Sequence, residues 1–263
     1  MKKKRNGKEY LADFLKIAPL SHALWRAVEA LSFDQVDYKS PVLDLGCGFG
    51  EFAGVVFGKV ETGVDINKKE LDMALKDRKY RKVVWADARN LPFKNKTYST
   101  VISVSVLEHI ENPEIVIEEI GRVLKSGGTV MFSVPTSEMY KYLLVPKVLT
   151  FFGFKEAARK YFELHKKVFK HVSLKSPEWW EKTLKKANFQ ILRQEGTISP
   201  ALLKLHEFFL ISAFPSQFSK LFFGKRLIMS TGIRSSLLPV FFSRFVRIDK
   251  DSKINLFIVA RKK

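Results

Sequence analysis

The residues able to do chemistry in this chain are spaced along its first half. Asp44 leads three glycines at alternate positions, Gly46, Gly48 and Gly50, with Cys47 between the first two. Asp65 comes 19 residues after Gly46 and is followed by Ile66; a third lone acid, Asp87, precedes Ala88, and Glu108-His109 closes the series. Glycine admits φ > 0 and lets a backbone approach a ligand closely. A carboxylate accepts more than one hydrogen bond, so a ribose diol is a natural partner for Asp65; a helix cap at a strand end is the other reading. His109, with Glu108 beside it, suits a general base near neutral pH, the alternative being a residue that shapes the loop or touches a cofactor. His165 and His171, from a later segment, could approach from the other side or be structural histidines.

Local pattern says how these residues are positioned. Val42, Leu43 and Leu45 read as a buried strand running into the glycines, and Phe52, Val55 and Val56 keep helical spacing after them. A strand, a glycine turn and a helix N-terminus with free N–H groups form the entry to a nucleotide site. A dinucleotide fingerprint would need glycine at position 51, which is Glu51. Strands then follow at 60–66, 82–85, 100–104 and 129–134. A helix lies over 69–78, and another starts at Asn112 with Pro113 in its first turn and stops at Lys125 and Gly127-Gly128. Such βα units predict a parallel, doubly wound sheet with its ligand beyond the carboxyl ends of the strands, so that 103–109 faces it. Ser176-Pro177 starts a further helix, and 189–193 and 254–260 read as strands. Residues 8–32 read as one or two amphipathic helices, broken at Pro19, that cover either the pocket or only a sheet edge.

The D-x-G-x-G-x-G spacing over Asp44 to Gly50, with Asp65 and Asp87 at successive strand ends, resembles the class I S-adenosylmethionine-dependent methyltransferases of the small-molecule and lipid type. The resemblance is close over 40–135 and loose over 171–195 and 254–261. It implies a Rossmann-like, doubly wound seven-stranded α/β sheet with the last strand antiparallel, and S-adenosyl-L-methionine as cofactor. Asp44, Gly46, Cys47, Gly48 and Gly50 would line the methionine and ribose end. Asp65 and Ile66 would hold the ribose, Asp87 and Ala88 the adenine, and Ser103 the approach from the fourth strand. The catalytic candidates are His109, Glu108 and His171, and no metal is implied. No Asn-Pro-Pro-Tyr or Asp-Pro-Pro-Tyr element follows the fourth strand, where Ser103-Val104-Ser105-Val106 stands instead. The lone cysteine, Cys47, excludes a disulfide framework, a cysteine-rich zinc site and a cytosine-C5 nucleophile after the fourth or fifth strand.

Charge and aromatic content divide the chain. The net charge is +19, yet residues 41–138 are nearly neutral, while 139–263 hold 25 basic against 8 acidic side chains and 16 of the 23 phenylalanines. Residues 1–40 read as N-terminal helices, 41–136 with 171–197 and 252–263 as the core, and 137–170 and 198–251 as a helical, Phe-rich, basic cap inserted after strand five and between strands six and seven. Three readings of that cap are open: the core of a larger lid, a face for an anionic membrane surface, or a nucleic-acid surface. The pairing of phenylalanines favours lid or membrane. The expectation is methyl transfer to a small or lipid-linked hydrophobic acceptor, with an RNA-directed enzyme or a non-catalytic cofactor-binding partner as alternatives. With no secretory signal and no apolar run of bilayer length, the expected location is cytoplasmic, peripheral on the inner face of a membrane if the cap docks there.

Overall fold

The computed structural model describes residues 4–210 and 231–263. Seven strands form one sheet: β1 (Val42–Leu45), β2 (Val60–Asp65), β3 (Tyr80–Trp85), β4 (Tyr98–Val104), β5 (Leu124–Pro135), β6 (Phe189–Gly196) and β7 (Asn255–Lys262). Their order is β3-β2-β1-β4-β5-β7-β6. β1 to β5 pair in parallel, and β7 runs antiparallel to both β5 and β6. The order reverses between β1 and β4, and a crevice opens there beyond the carboxyl ends of the strands.

Helices cover both faces. On one lie α1 (Gly7–Leu15), α2 (Leu20–Phe33), α3 (Glu51–Val56) and α4 (Lys68–Lys76). On the other lie α5 (Pro113–Val123) and α8 (Pro177–Lys186). The apolar stripe of α5, Val116, Ile117, Ile120 and Val123, is wholly buried, and each such side chain is worth about 1.5–3 kcal/mol over an exposed one. Pro19 separates α1 from α2 as the N-cap of α2, in a β conformation, where its missing N–H interrupts no intrahelical bond. The first turn of α1 is closed by a capping box between Asn6 and Glu9.

Two local expectations are corrected. Gly127-Gly128 does not end a helix: α5 stops at Val123, and β5 starts at Leu124 and runs through both glycines. Gly127 takes φ +72, and the β4–β5 register shifts between Tyr98 and Thr100, so the glycines accommodate an irregular strand start. Asn112 precedes α5 in the left-handed conformation and makes no side-chain cap, whereas Ser176 does accept a hydrogen bond from the Trp179 N–H.

Beyond β5 and β6 lie α6 (Leu144–Phe151), α7 (Lys155–Phe169), a helix α9 over 200–210 and α10 (Thr231–Phe242). Glu207 of α9 ties the first three together, accepting hydrogen bonds from the Leu144 and Val145 N–H groups and the Tyr161 hydroxyl. Phe209 of α9 meets Phe242 of α10 edge-on at 5.6 Å. The phenylalanines of these segments divide: Phe162, Phe209, Phe242 and Phe245 pack against the core, while Phe151, Phe152, Phe154, Phe208 and Phe241 are exposed. Phe214, Phe218, Phe222 and Phe223, with Lys220, Lys225 and Arg226, lie outside the described residues. Among the described residues no helix is long and apolar enough to cross a membrane.

Candidate active site

The strand tips, the N-terminal helices and α7 enclose a cavity of about 810 Å³, within the range of sites that bury a small organic ligand. At one end lies the glycine loop. Gly46, Gly48 and Gly50 all have positive φ, at +73°, +51° and +70°. The Gly46 and Cys47 N–H groups donate to the Val64 carbonyl of β2, which folds the loop back onto the neighbouring strand tip. A Cβ on Gly46 would stand 2.4 Å from both methyls of Val106, so only glycine passes there.

The acids lie around this loop. Asp65 accepts from the Gly48 N–H at 2.8 Å with one oxygen and from the Asn67 N–H at 2.8 Å with the other, so it shapes the loop as well as facing the cavity. Asp87 is gripped by Arg89, whose Nη2 donates at 2.7 Å, and that contact holds its carboxyl below the usual range. Asp44 is buried and accepts the Tyr80 hydroxyl at 2.6 Å. Burial pushes its carboxyl up to about 7, against the opposing pull of Tyr80. Burial also pushes the Cys47 thiol far up, so it stays a neutral filler. Ile66 and Ala88 line the same end.

Two of the expected residues lie off the cavity wall. Ser103 is fully buried and donates its hydroxyl to the Leu45 carbonyl at 3.1 Å, a link between β4 and β1 rather than a cavity contact. Gly50 sits behind the loop at the start of α3, where a Cβ would strike the Tyr80 ring at 2.7 Å; its role is close packing.

The other end of the cavity gathers every histidine of the chain: His22, His109, His165, His171 and His206. His109 ends a short 3-10 turn after β4, and its Nδ1 lies 3.0 Å from the Lys170 carbonyl at the end of α7. A carbonyl only accepts, so Nδ1 carries the proton and Nε2 keeps its lone pair. The cavity walls desolvate the ring and lower its pKa, which keeps it neutral. His206 donates likewise from Nδ1 to the Ser21 carbonyl at 2.9 Å. Burial holds His165 down at about 3 and His171 at about 4, each lowered further by neighbouring histidines. His171 stacks on His109 at 5.9 Å, and its Nδ1 lies 3.2 Å from the Tyr140 hydroxyl. Glu108 lies beneath, with Oε1 3.7 Å from His109 Nε2 and a buried Oε2 that has no hydrogen-bond partner. Its carboxyl is raised to about 8 by burial, so it is neutral and able to donate.

Sequence pattern had not pointed to Arg26 and Glu29 of α2. Glu29 is fully buried. It accepts from Arg26 at 2.8 Å and from the hydroxyls of Ser105 and Ser133, each at 2.7 Å, which pins α2 across the tips of β4 and β5. Arg26 also packs over the Phe52 ring at 5.9 Å and lines the cavity. An Arg and a Glu three apart on an amphipathic helix are indistinguishable in sequence from a surface pair; only the two serines, distant in the chain, mark the difference. Among the described residues no three His, Cys, Asp or Glu side chains are grouped to hold a metal ion.

The sheet order, the glycine loop and the acids at the β2 and β3 tips are arranged as in the fold of class I S-adenosylmethionine-dependent methyltransferases. Residues 43–132 match the family model described as a methyltransferase domain, and S-adenosylmethionine is the cofactor that family and fold imply. The chain is 30% identical over 158 residues to a ubiquinone biosynthesis O-methyltransferase of Paracidovorax citrulli, a match covering 51% of this chain and 65% of that one. It is 38% identical over 99 residues to the sterol 4-C-methyltransferase strm-1 of Caenorhabditis elegans, covering 33% of this chain and 28% of the relative. The chain thus spans less than two thirds of either relative. A crystal structure of an S-adenosylmethionine-dependent methyltransferase from Thermotoga maritima shares the fold over 93% of this chain and 92% of its own, with a TM-score of 0.61 at 18% identity.

Proposed function

We propose that this protein methylates a small, hydrophobic acceptor, using S-adenosylmethionine. One observation carries the reading: a single cavity has the glycine loop with Asp65 and Asp87 at one end and a neutral imidazole with a free Nε2 at the other. The cradle suits the cofactor, because the positive-φ glycines leave no side chain over it and the two acids suit a ribose and an adenine amino group. Arg26 is a cation in the same cavity that would suit the amino-acid carboxylate. When bound, S-adenosylmethionine supplies an electrophilic methyl group on a sulfonium.

The chain's own residues supply the rest. His109 Nε2 takes a proton from the acceptor's hydroxyl or acidic carbon, a contribution of about 10²–10⁴ in rate. Glu108, buried beneath His109 with Oε1 3.7 Å from its Nε2, backs the imidazole rather than touching the acceptor. Trp25, Met139, Phe169 and Leu203 wall this end and suit an apolar ring. The relatives named for sterol methylation and ubiquinone biosynthesis support a hydrophobic acceptor. Calorimetric titration with S-adenosylmethionine, then incubation with methyl-labelled cofactor and cell extract, tests the reading. Label in the organic-solvent fraction is the expected result. Label in nucleic acid, or heat of binding without labelled product, overturns it.

A further inference from the structure

We infer that the α6–α7 hairpin is a docking surface for an anionic lipid bilayer. The two helices meet at a tip of three phenylalanines, Phe151, Phe152 and Phe154, which are 84%, 66% and 61% exposed. Gly153 sits among them at φ +84, and a Cβ built there meets nothing within 4 Å, so the tip stands clear of the rest of the fold. Further along α7, Leu164 and Val168 lie one turn apart and are both more than half exposed. Scattered exposed apolar residues need no explanation, but three exposed phenylalanines gathered at one hairpin tip do.

The charge around this run selects the occupant. Residues 141–175 hold nine basic and two acidic side chains. Lys155, Lys160 and Lys167 are exposed, and none has an acidic partner among the described residues. A second copy of this chain would bring the same positive charge against itself. A nucleic-acid track would place lysines foremost with single aromatics between them. Here phenylalanines form the tip and lysines flank it, the arrangement by which a helix lies in a headgroup layer with its apolar side chains inserted. The surface also reaches the cavity: Val168, Lys170 and Val172 line it and are exposed, so its mouth opens at the far end of the same helix. A bilayer seated on α7 therefore meets the histidine-lined end of the cavity.

The test uses the full chain, with vesicles of phosphatidylcholine alone or containing phosphatidylglycerol, read by co-sedimentation at low and high salt. The wild type is expected to bind the anionic vesicles and to lose binding on neutral ones or in salt. Each lysine near the surface is worth roughly fivefold and each inserted phenylalanine roughly tenfold or more. F151S/F152S/F154S and K155E/K160E/K167E are therefore each expected to weaken binding at least ~100-fold. S-adenosylmethionine titration of the same samples reports folding and the cofactor site separately, so loss of docking and loss of cofactor binding are told apart. If the triple phenylalanine variant does not fold, F151S alone carries the test, with a roughly tenfold loss expected. Equal binding to neutral and anionic vesicles, unchanged binding by the variants, or displacement by single-stranded RNA at equal phosphate overturns the proposal. So does a wild-type dimer in gel filtration that F151S splits, where vesicles leave the wild type in solution.

Discussion

The Nδ1 of His109 lies 3.0 Å from the carbonyl oxygen of Lys170, and through that contact the end of α7 decides which imidazole nitrogen faces the cavity. Lys170 caps α7 in the left-handed conformation, which closes the helix with its N–H bonded back to the Lys166 and Lys167 carbonyls. His109→Ala is expected to lower kcat on the order of 10²–10⁴ while leaving the S-adenosylmethionine Kd nearly unchanged. Because burial lowers the His109 pKa below 6.5, wild-type kcat/KM should hold steady down to that pH and fall only in more acidic solution. Steady-state kinetics across pH, with calorimetry of cofactor binding, checks both. Equal losses in kcat and cofactor affinity would make His109 a cofactor contact instead.

Glu108 gives a pH signature of its own. Its carboxyl rises from 4.5 to about 8 in the fold, chiefly by burial, with Glu29 pushing the same way and Arg26 opposing. Between those values the folded protein keeps a proton that the unfolded chain has lost. The stability this carboxyl contributes is therefore present below pH 4.5 and lost as pH rises through about 8. Glu108→Gln, neutral at every pH, should match the wild type in acid and exceed it above pH 8 by roughly 5 kcal/mol, one pKa unit being about 1.4 kcal/mol. Urea unfolding of both proteins across the range measures the difference. Parallel curves would mean the folded protein carries Glu108 ionised.

Asp44 and Tyr80 form the buried hydrogen bond behind the glycine loop, at 2.6 Å. Burial pushes the tyrosine far above its ordinary pKa, so the hydroxyl remains a donor. Tyr80→Phe leaves a buried carboxylate without that donor, which costs about 1–3 kcal/mol. The loss should be greater above pH 7, where Asp44 is ionised and the bond is charge-assisted, than below it. Denaturant unfolding on either side of that pH tests the claim, and an equal loss on both sides would refute it.

What was legible in the sequence is what local chemistry fixes. Glycines at alternate positions after a strand permit a turn of positive φ that other residues resist, and Asp65 and Asp87 follow strands that short apolar runs announce. The parallel strands were readable for the same reason, while the seven-stranded sheet with its antiparallel end was implied by the resemblance to a known family. Gly127-Gly128 misled because a glycine pair is a stop signal for a helix and also serves an irregular strand start. Ser103 lies off the cavity wall, a placement that strand alternation does not specify. The histidine-lined end was legible in part: His165 and His171 were candidates to approach His109 from the other side, but His22 and His206 share no local pattern with His109, and only α2 and α9 packing over the strand tips brings them in. The Arg26–Glu29 pair was hidden likewise, since its burial depends on Ser105 and Ser133.

Gly46 and Val106 test whether the loop's shape is imposed by close approach or by backbone conformation alone. Gly46→Ala introduces two penalties: a left-handed φ of +73°, which an L-residue adopts with strain, and a Cβ at 2.4 Å from two Val106 methyls. It should destabilise the fold by about 1–3 kcal/mol and weaken S-adenosylmethionine binding at least ~10-fold, about 1.4 kcal/mol. Val106→Ala removes the obstructing methyls while leaving the φ strain in place. The double variant should therefore recover part of both losses, with a coupling of about 0.5–3 kcal/mol in a double-mutant cycle. Thermal unfolding and calorimetry on the four proteins give that coupling. Strict additivity would show that the Val106 methyls play no part in excluding a side chain at position 46.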